Sequence, residues 1–351
     1  MFGLVARERA AALKISMRKL IVFILAVCLA LPLGAQSQLR FNSDGQFKIV
    51  QLTDLHYSMS RPAAKKVRAL VDSVMRAERP DLVVITGDIV YASPSDENMR
   101  EILSYIDSYG VPFCTLFGNH DDEFGIPRST LYDIATSFKN CINPPRGGVE
   151  SPDYTVELLP ACCDRVAEVL YCIDSNAHIF DKDGKFVEYD WIHEDQVEAY
   201  RKRSAAYTAA NGGTPLPALG FFHIPLPEYR DAASNDGTPL FGTRMEPCCA
   251  PYHNSGMFDA IKDCGDIFAT FAGHDHDNDY VTMWKDVVLC YGRYCGGNTV
   301  YNNLQSGARV ILLREGERRF ETWIRLCTGE VIAHATFPDY FAKSDWTTRK
   351  D

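Results

Sequence analysis

The chain has 351 residues, of which 46% are hydrophobic and 23% are charged, and its formal net charge is −10. These values are typical of a globular protein that is long enough to bury a core without disulfide support. The acidic balance argues against nucleic acid or an anionic membrane surface as the main partner.

The N-terminus has the pattern of a secretory signal. Two basic residues precede an apolar run over residues 20–33, and small residues follow this run up to Ala35. The order predicts a signal peptide over residues 1–35, and Met17 offers a second start, which would make residues 1–16 a spurious extension. The run is short for a membrane span, so we expect a secreted or periplasmic protein with no stable membrane insertion after cleavage. An uncleaved N-terminal anchor is the alternative.

The segment after the signal predicts a β-α-β-α-β unit. Apolar runs typical of strands cover residues 47–52, 82–86 and 111–117. One helix begins at Pro62, where apolar residues repeat with helical spacing, and a second helix covers about 97–109. Each strand delivers polar residues at its C-terminal end, which is where ligand sites lie in open α/β sheets.

The rest of the chain predicts more strands than helices. A helix is expected at about 194–210, and loop-like composition covers 141–160 and 237–252. Strands are predicted at 169–173, 218–222, 267–271, 287–291, 309–313 and 320–325, the last three of them antiparallel. No linker forces a division, so we predict a single domain over residues 36–351.

Five polar segments follow predicted strands and supply carboxylate, amide and imidazole groups. They are Asp54-Leu55-His56, Gly87-Asp88, Gly118-Asn119-His120-Asp121, His223 and Gly273-His274-Asp275-His276. Each segment alone is typical of turn chemistry, whereas all five at strand ends are a strong signal of a metal site. Mixed oxygen and imidazole ligands suit Mn, Fe or Zn. The cysteine spacing argues against a tetrahedral zinc knuckle, because no cysteine pair has C-x-x-C spacing.

This combination resembles the calcineurin-like metallophosphoesterase superfamily, from about Phe47 to Arg325. Within the superfamily, the chain is most similar to the purple acid phosphatase-like subgroup. The segments that carry this second resemblance are 222–229, 273–279 and 291–293. The resemblance implies an α/β fold, a four-layer α/β/β/α sandwich of two mixed sheets.

The resemblance also implies two divalent or trivalent metal ions, with Mn, Fe or Zn as the candidates. One ion would take three ligands, which are Asp54, His56 and His276. The other would take Asn119, His223 and His274. Asp88 would bridge the two ions, and His120 would protonate the leaving oxygen or stabilise the transition state. A positioning role for His120 is the alternative, and Asp121 is expected to orient a histidine, since metal-bound imidazoles usually donate to a carboxylate or carbonyl.

Tyr91 competes with His56 for one coordination position. True purple acid phosphatases place a tyrosinate on ferric iron three residues after the second aspartate, and Tyr91 has that spacing from Asp88. Those enzymes lack the histidine that this chain has as His56. We therefore interpret His56 as the ligand and Tyr91 as a nearby packing residue, which predicts a protein that is not purple.

The resemblance implies a secreted phosphoesterase that hydrolyses esters with a hydroxide activated by two metals. We expect a phosphomonoesterase acting on a phosphorylated small molecule. The alternatives are a phosphodiesterase and a catalytically inactive secreted binding protein of the same fold. Seven further polar residues near the motifs are considered for the substrate cleft but are not assigned to the site: Asp122, Glu123, His253, Asn254, Asn278, Tyr280 and Arg293. For Arg293, a phosphate clamp and a solvated surface arginine remain equally open.

Overall fold

The computed structural model describes residues 38–235, 238–297 and 301–342. The predicted signal peptide at residues 1–35 lies outside the described residues. None of the helices in the described ranges has the length and apolar character that crossing a bilayer requires.

The described chain forms fifteen strands and seven helices. In chain order the strands are β1 (Gln46–Leu52), β2 (Leu82–Thr86), β3 (Phe113–Leu116), β4 (Tyr154–Leu158), β5 (Glu168–Cys172), β6 (His178–Phe180), β7 (Phe186–Tyr189), β8 (Ala218–Phe221), β9 (Leu240–Phe241), β10 (Ile267–Ala272), β11 (Val281–Trp284), β12 (Val287–Tyr291), β13 (Gly307–Arg314), β14 (Phe320–Leu326) and β15 (Val331–Phe337). The helices are α1 (Ala63–Glu78), α2 (Ser95–Asp107), α3 (Arg128–Thr136), α4 (Glu194–Ala210), α5 (Pro227–Ala233), α6 (Met257–Cys264) and α7 (Asp339–Ala342).

The first sheet has six strands in the order β15-β14-β13-β1-β2-β3. β1, β2 and β3 run parallel, with Ile49 opposite Leu82 and Val83 opposite Phe113. β13, β14 and β15 complete the sheet in antiparallel pairing. The β-α-β-α-β prediction is thus confirmed, because the short apolar runs are buried on both faces, as crossover helices require.

The second sheet has seven strands in the order β4-β5-β8-β10-β12-β11-β9. Its four central strands, β5, β8, β10 and β12, are parallel to their neighbours within that group. The strand at 287–291 was predicted to be antiparallel, and this prediction is wrong for its pairing with one of its two neighbours. β12 runs parallel to β10 and antiparallel to β11, because β11 lies outside β12 in the sheet and the chain turns back between β10 and β11.

Side-chain alternation along the strands builds the layers. In β2, Val83 and Ile85 pack with the helices α1 to α3 on one face, while Leu82 and Val84 face the second sheet. Leu219 and Phe271 of the second sheet meet them between the sheets. A third cluster covers the other face of the second sheet with α4, α5 and α6. The order of layers is α/β/β/α, so the predicted four-layer sandwich is confirmed.

Candidate metal centre

The loops after β1, β2, β8 and β10 meet at one end of the two sheets. The backbone N–H of Asp54 donates to the carbonyl of Gly87 at 3.1 Å, and that of His56 donates to Asp88 at 2.9 Å. The Gly273 N–H donates to the His223 carbonyl at 3.0 Å. These bonds join loops that are far apart in sequence and hold their polar side chains at one place.

Four residues of these loops have left-handed backbone conformations. The φ angles are +53° at Asp54, +43° at His56, +49° at Asp88 and +79° at His274. Residues other than glycine rarely adopt this region, and each instance costs on the order of 1–3 kcal/mol. The inter-loop hydrogen bonds maintain the strained backbone, and it aims four predicted ligands at a common point.

Gly118 allows the closest approach in this centre. A Cβ atom at this position would lie 2.1 Å from Oδ1 of Asp88 and 2.5 Å from its backbone nitrogen. Both contacts are far below any normal separation between heavy atoms. A side chain at residue 118 would therefore push the Asp88 carboxylate out of its place.

The substitution Gly118→Ala is expected to lower metal content and phosphoesterase activity by at least about 10-fold, because it displaces the carboxylate that both ligand groups share. Metal per chain after gel filtration is the measurement. Gly110→Ala is the control, since Gly110 lies before β3 and its Cβ would meet no atom within 4 Å. Its φ of +70° means that alanine strains the backbone there without touching the centre, so metal content should be retained. Full metal retention in Gly118→Ala would contradict the argument.

The structure brings the first predicted ligand set together. One ligand atom from each of Asp54, His56, Asp88 and His276 lies within 4.8 Å of the others, and all four residues are buried. Nε2 of His56 is 3.0 Å from Nε2 of His276 and 3.4 Å from Oδ2 of Asp88. Nε2 of His276 is 3.7 Å from Oδ1 of Asp54.

A second group, Asp88, His223 and His274, shares Asp88 with the first. Oδ2 of Asp88 is 3.3 Å from Nε2 of His223. Asn119, the remaining predicted ligand, precedes His120, whose backbone N–H donates to Oδ1 of Asp88 at 2.9 Å. One oxygen of Asp88 thus lies beside both groups while the other is held by the backbone.

These separations fit residues that share a metal ion. Two ligand atoms that are each about 2.1 Å from an ion are roughly 3.0–3.5 Å apart at right-angled to tetrahedral geometry. Four buried polar atoms of the centre make no hydrogen bond to any part of the chain that the structure describes. They are Oδ2 of Asp88, Oδ1 of Asn119, Nε2 of His223 and Nε2 of His274. Buried polar atoms without partners are rare and costly, and these four are all metal-ligand types.

Backbone carbonyls fix two of the histidine rings. Nδ1 of His223 donates to the carbonyl of Thr86 at 2.7 Å, and Nδ1 of His276 donates to that of Tyr301 at 2.9 Å. A carbonyl oxygen only accepts, so in a neutral ring the proton lies on Nδ1 and the lone pair on Nε2. Both Nε2 atoms are the ones that point into the centre.

Asp121 has a different role from the one predicted. Its carboxylate accepts three backbone N–H groups, from Gly118 at 2.8 Å, Ile89 at 2.8 Å and Val90 at 3.0 Å, and not a histidine. It therefore joins the loop after β2 to the loop after β3. Burial, and then the charge of Asp88, raise the pKa of Asp121 to about 7.

The histidines of the centre differ in pKa, because burial lowers the pKa of an imidazole and a nearby carboxylate raises it. Burial holds the pKa of His56 and that of His274 well below the usual value, so these rings are neutral and offer lone pairs. At His223 burial acts in the same direction, but the charges of Asp88 and Asp54 outweigh it and raise the pKa to about 9, so a bound metal ion would take the place of the proton on Nε2. Burial alone would raise the pKa of Asp88, yet His223 and His120 hold it well below its usual range. The Asp88 carboxylate is therefore ionised and suited to a cation.

The His120 side chain is 26% exposed at the mouth of the centre. Its Nε2 is 4.0 Å from Oδ2 of Asp88, and its Nδ1 is 2.8 Å from Oε1 of Glu123. Burial lowers the pKa of His120, but Asp88 and Glu123 together raise it above the usual value. The ring is thus anchored through Nδ1, and its Nε2 lies beside the ligand groups.

His178, which lies on β6 and was not among the predicted site residues, contacts Asn119. Nδ2 of Asn119 is 3.2 Å from Nε2 of His178. The amide nitrogen can only donate, so His178 accepts there, and the Asn119 oxygen is left for the metal centre. Burial lowers the pKa of His178, which favours the neutral ring that this contact needs. The predicted strand-end pattern does not contain the β6–β7 hairpin, and no other signal in the sequence marks this histidine.

Tyr91 packs against two histidines of the centre. Its ring centroid is 5.4 Å from that of His56, at an interplanar angle of 85°, and 4.5 Å from that of His120. His56 occupies the first ligand group. This arrangement supports the interpretation of His56 as the ligand and Tyr91 as the packing residue.

Arg293 is neither a phosphate clamp nor a solvated arginine. It is 3% exposed, it pairs with Asp279, and its Nε donates to the carbonyl of Gln305 at 2.8 Å. Asn278 and Tyr280 are buried as well. Of the seven residues considered for the cleft, Glu123 contacts the predicted site residue His120. Asp122 belongs to the same loop and lies beside Arg128.

Comparisons with known proteins agree with this geometry. A family model for calcineurin-like phosphoesterases matches residues 47–278. The chain is 29% identical over 295 residues to a "probable inactive purple acid phosphatase 14" of Arabidopsis thaliana, an alignment that covers 74% of this chain and 73% of the relative. The expected resemblance to the purple acid phosphatase-like subgroup is confirmed.

Two further matches extend the comparison. The chain is 30% identical over 333 residues to the protein named Phosphatase DCR2 of Saccharomyces cerevisiae, which covers 84% of this chain but 56% of the yeast protein. A solved dimetal phosphatase from Danio rerio superposes with a TM-score of 0.59 at 14% identity, over 83% of this chain and 98% of that one. At this identity the second match shows the shared fold.

Proposed function

From the premise that this chain belongs to the calcineurin-like phosphoesterase family, we propose that it is a secreted, dinuclear metal-dependent phosphomonoesterase. The observation that carries the proposal is the position of Asp88. One carboxylate oxygen lies 3.4 Å from an imidazole of the first ligand group and 3.3 Å from an imidazole of the second. A shared carboxylate between two ligand groups is the arrangement that a pair of metal ions needs.

The proposed ligands divide between the two positions as the sequence suggests. Asp54, His56 and His276 would hold one ion, Asn119, His223 and His274 would hold the other, and Asp88 would be shared by both sets. The bound pair would supply charge neutralisation at the phosphoryl oxygens and a water that is nucleophilic near neutral pH. Mn, Fe and Zn all suit this mixed oxygen and imidazole set.

The chain's own residues complete the reaction around the phosphoryl group. The bond between phosphorus and the ester oxygen breaks, and that oxygen needs a proton as it leaves. Nε2 of His120 supplies it, because Nδ1 is held by Glu123 and the ring is open to the cleft. His178 holds the amide of Asn119 so that its oxygen points to the centre.

The N-terminal sequence supports secretion, and the name of one relative supports a preference for monoesters. The charged, apolar and small-residue order at residues 1–35 supports export. The word phosphatase in the name of the yeast relative supports a monoester substrate. A phosphodiesterase of the same mechanism is the alternative within the enzyme class.

An inactive binding protein is the alternative outside the enzyme class, and the name of the Arabidopsis relative favours it. This chain has a residue of the expected type at all seven ligand positions and has His120 as well. A lost ligand or a lost acid would be the usual sign of an inactive member. The complete set supports turnover.

Paired assays test the proposal. Protein loaded with Mn, Fe or Zn is expected to hydrolyse p-nitrophenyl phosphate with a higher kcat/KM than bis(p-nitrophenyl) phosphate, because the monoester presents more phosphoryl charge to the two cations. A preference for the diester would favour the phosphodiesterase. Full metal occupancy without turnover of either ester would favour the inactive binding protein.

A further inference from the structure

Three phenylalanines expose their rings near the metal centre. Phe124, Phe180 and Phe186 are 41%, 56% and 46% exposed, and no other phenylalanine in the described ranges is exposed. The buried phenylalanines of those ranges lie in the packed clusters of the fold. Exposed apolar rings that gather at one place mark a binding surface more often than chance exposure does.

Ring contacts connect all three phenylalanines, which we call the aromatic rim, to His120. On one side, the Tyr91 ring is 4.5 Å from His120 and 5.7 Å from Phe124. On the other side, the His178 ring is 5.9 Å from His120, 5.7 Å from Phe180 and 5.5 Å from Phe186. The ring contacts of both parts of the rim therefore meet at His120.

The two parts of the rim come from separate pieces of the fold. Phe124 belongs to the loop after β3, while Phe180 and Phe186 belong to the paired strands β6 and β7. The hairpin touches the centre through Tyr189, whose ring is 4.3 Å from that of His274. Two independent elements thus bring exposed rings to the side of the centre where the leaving group of an ester departs.

The charged groups in contact with His120 and the Gly118 loop disfavour an anionic leaving group, and the turn between β6 and β7 adds two aspartates and two lysines whose charges cancel, at residues 181, 182, 183 and 185. Glu123 contacts His120 at 2.8 Å and is about one-third exposed. Arg128 is already engaged, since it donates to Asp174 at 2.7 Å and to the Gly118 carbonyl at 2.9 Å, and it lies 3.6 Å from Asp122. A second phosphate beside His120 would meet a carboxylate and no available guanidinium from Arg128.

We propose that the aromatic rim binds the leaving group, and that the substrates are phosphate esters whose leaving group carries a flat, uncharged ring, as a nucleoside does. The inference rests on the proposed function, because it takes His120 as the group beside the leaving oxygen. Flat rings pack on aromatic side chains in offset-stacked or edge-to-face geometry. All nucleobases can stack in this way, so the interaction depends little on which base is present.

Adenosine 5′-monophosphate and ribose 5-phosphate make a matched pair, since both are esters of a ribose 5-hydroxyl and they differ by the base. Calorimetric binding to the metal-loaded protein and kcat/KM from phosphate release are measured for both. We expect the nucleotide to be favoured by about 10-fold in both measurements. In a Phe124→Ala, Phe186→Ala double variant the preference falls to near one, because the nucleotide loses more binding and more kcat/KM than ribose 5-phosphate does.

Val331→Ala is the control, because Val331 is 41% exposed but lies on β15, the edge strand of the first sheet. Equal binding of the two compounds by the unaltered protein, or an unchanged preference in the double variant, overturns the inference. Binding preference without turnover of either compound would overturn the proposed phosphoesterase activity and retain the role of the rim. Turnover of both compounds without any preference would retain the proposed phosphoesterase activity and overturn the role of the rim.

Discussion

Asp88→Ala is expected to remove the metal pair and with it the phosphoesterase activity. Substitution of a residue that only supports a metal ligand typically lowers metal affinity by about 10–100-fold. A larger loss is expected at Asp88, because its carboxylate contacts both ligand groups directly. We therefore expect metal content to fall from near two per chain to well below one. Metal analysis of the purified protein, with kcat/KM on p-nitrophenyl phosphate, is the measurement.

Thermal unfolding separates metal loss from misfolding in this variant. Asp88 accepts a bond from the backbone N–H of His120 and lies 3.3 Å from Nε2 of His223, so its removal costs the metal-free fold some stability. The metal-free variant should still unfold in one cooperative transition, a few degrees below the metal-free parent. Asp266→Ala is the contrast, because Asp266 accepts bonds from Tyr171 and Tyr200 at the other end of β10. That change should lower stability and leave metal content intact.

His120→Asn is expected to lower kcat by about 10²–10⁴-fold while metal content stays near two per chain. The reason is that Nε2 of His120 faces the ligand groups without belonging to either of them. The loss should be larger for an alkyl phosphate than for p-nitrophenyl phosphate, because a poor leaving group needs the proton more. Steady-state kinetics on both esters measure this difference.

Three outcomes distinguish the roles of His120. An equal loss on both esters would indicate stabilisation of transition-state charge in place of proton donation. Little loss on either ester would indicate a positioning role. His253→Asn is the control, since His253 is exposed and pairs with Glu194, and its kinetics should match the parent.

The central strands and the predicted ligands were accessible from the sequence for one physical reason. A parallel strand covered by helices or by a second sheet is apolar along its whole length, so Leu82–Thr86 stands out against its surroundings. Its polar residues must then come at its end, where Gly87 and Asp88 follow. The pattern identifies the residue types and their shared edge, and the observed grouping around Asp88 has that form.

The β6–β7 hairpin was not accessible in this way. Phe180 and Phe186 are exposed and Val187 is 55% exposed, so this short pair has no buried face to produce an alternating pattern. His178 was missed with the hairpin that carries it. β4 was missed as well, because it is a short edge strand within a segment whose prolines and glycines predict a loop.

The residues that orient the ligands were equally hidden. Thr86 and Tyr301 act through their backbone carbonyl groups. Every residue has such a group, so no side-chain pattern in the sequence identifies these two positions. Asp121 looked like the acidic partner of a histidine because it stands next to one in sequence. Its three backbone bonds depend on how the loops after β2 and β3 meet, which the order of residues alone does not reveal.

The carbonyl contacts of His223 and His276 give the centre a form of mutational robustness. A carboxylate that orients a histidine is lost through one codon change, whereas a main-chain oxygen persists under any substitution that keeps the backbone in place. Thr86 and Tyr301 can therefore vary in side chain without changing which ring nitrogen carries the proton. Among related chains, drift at these two positions should be compatible with an unchanged metal centre.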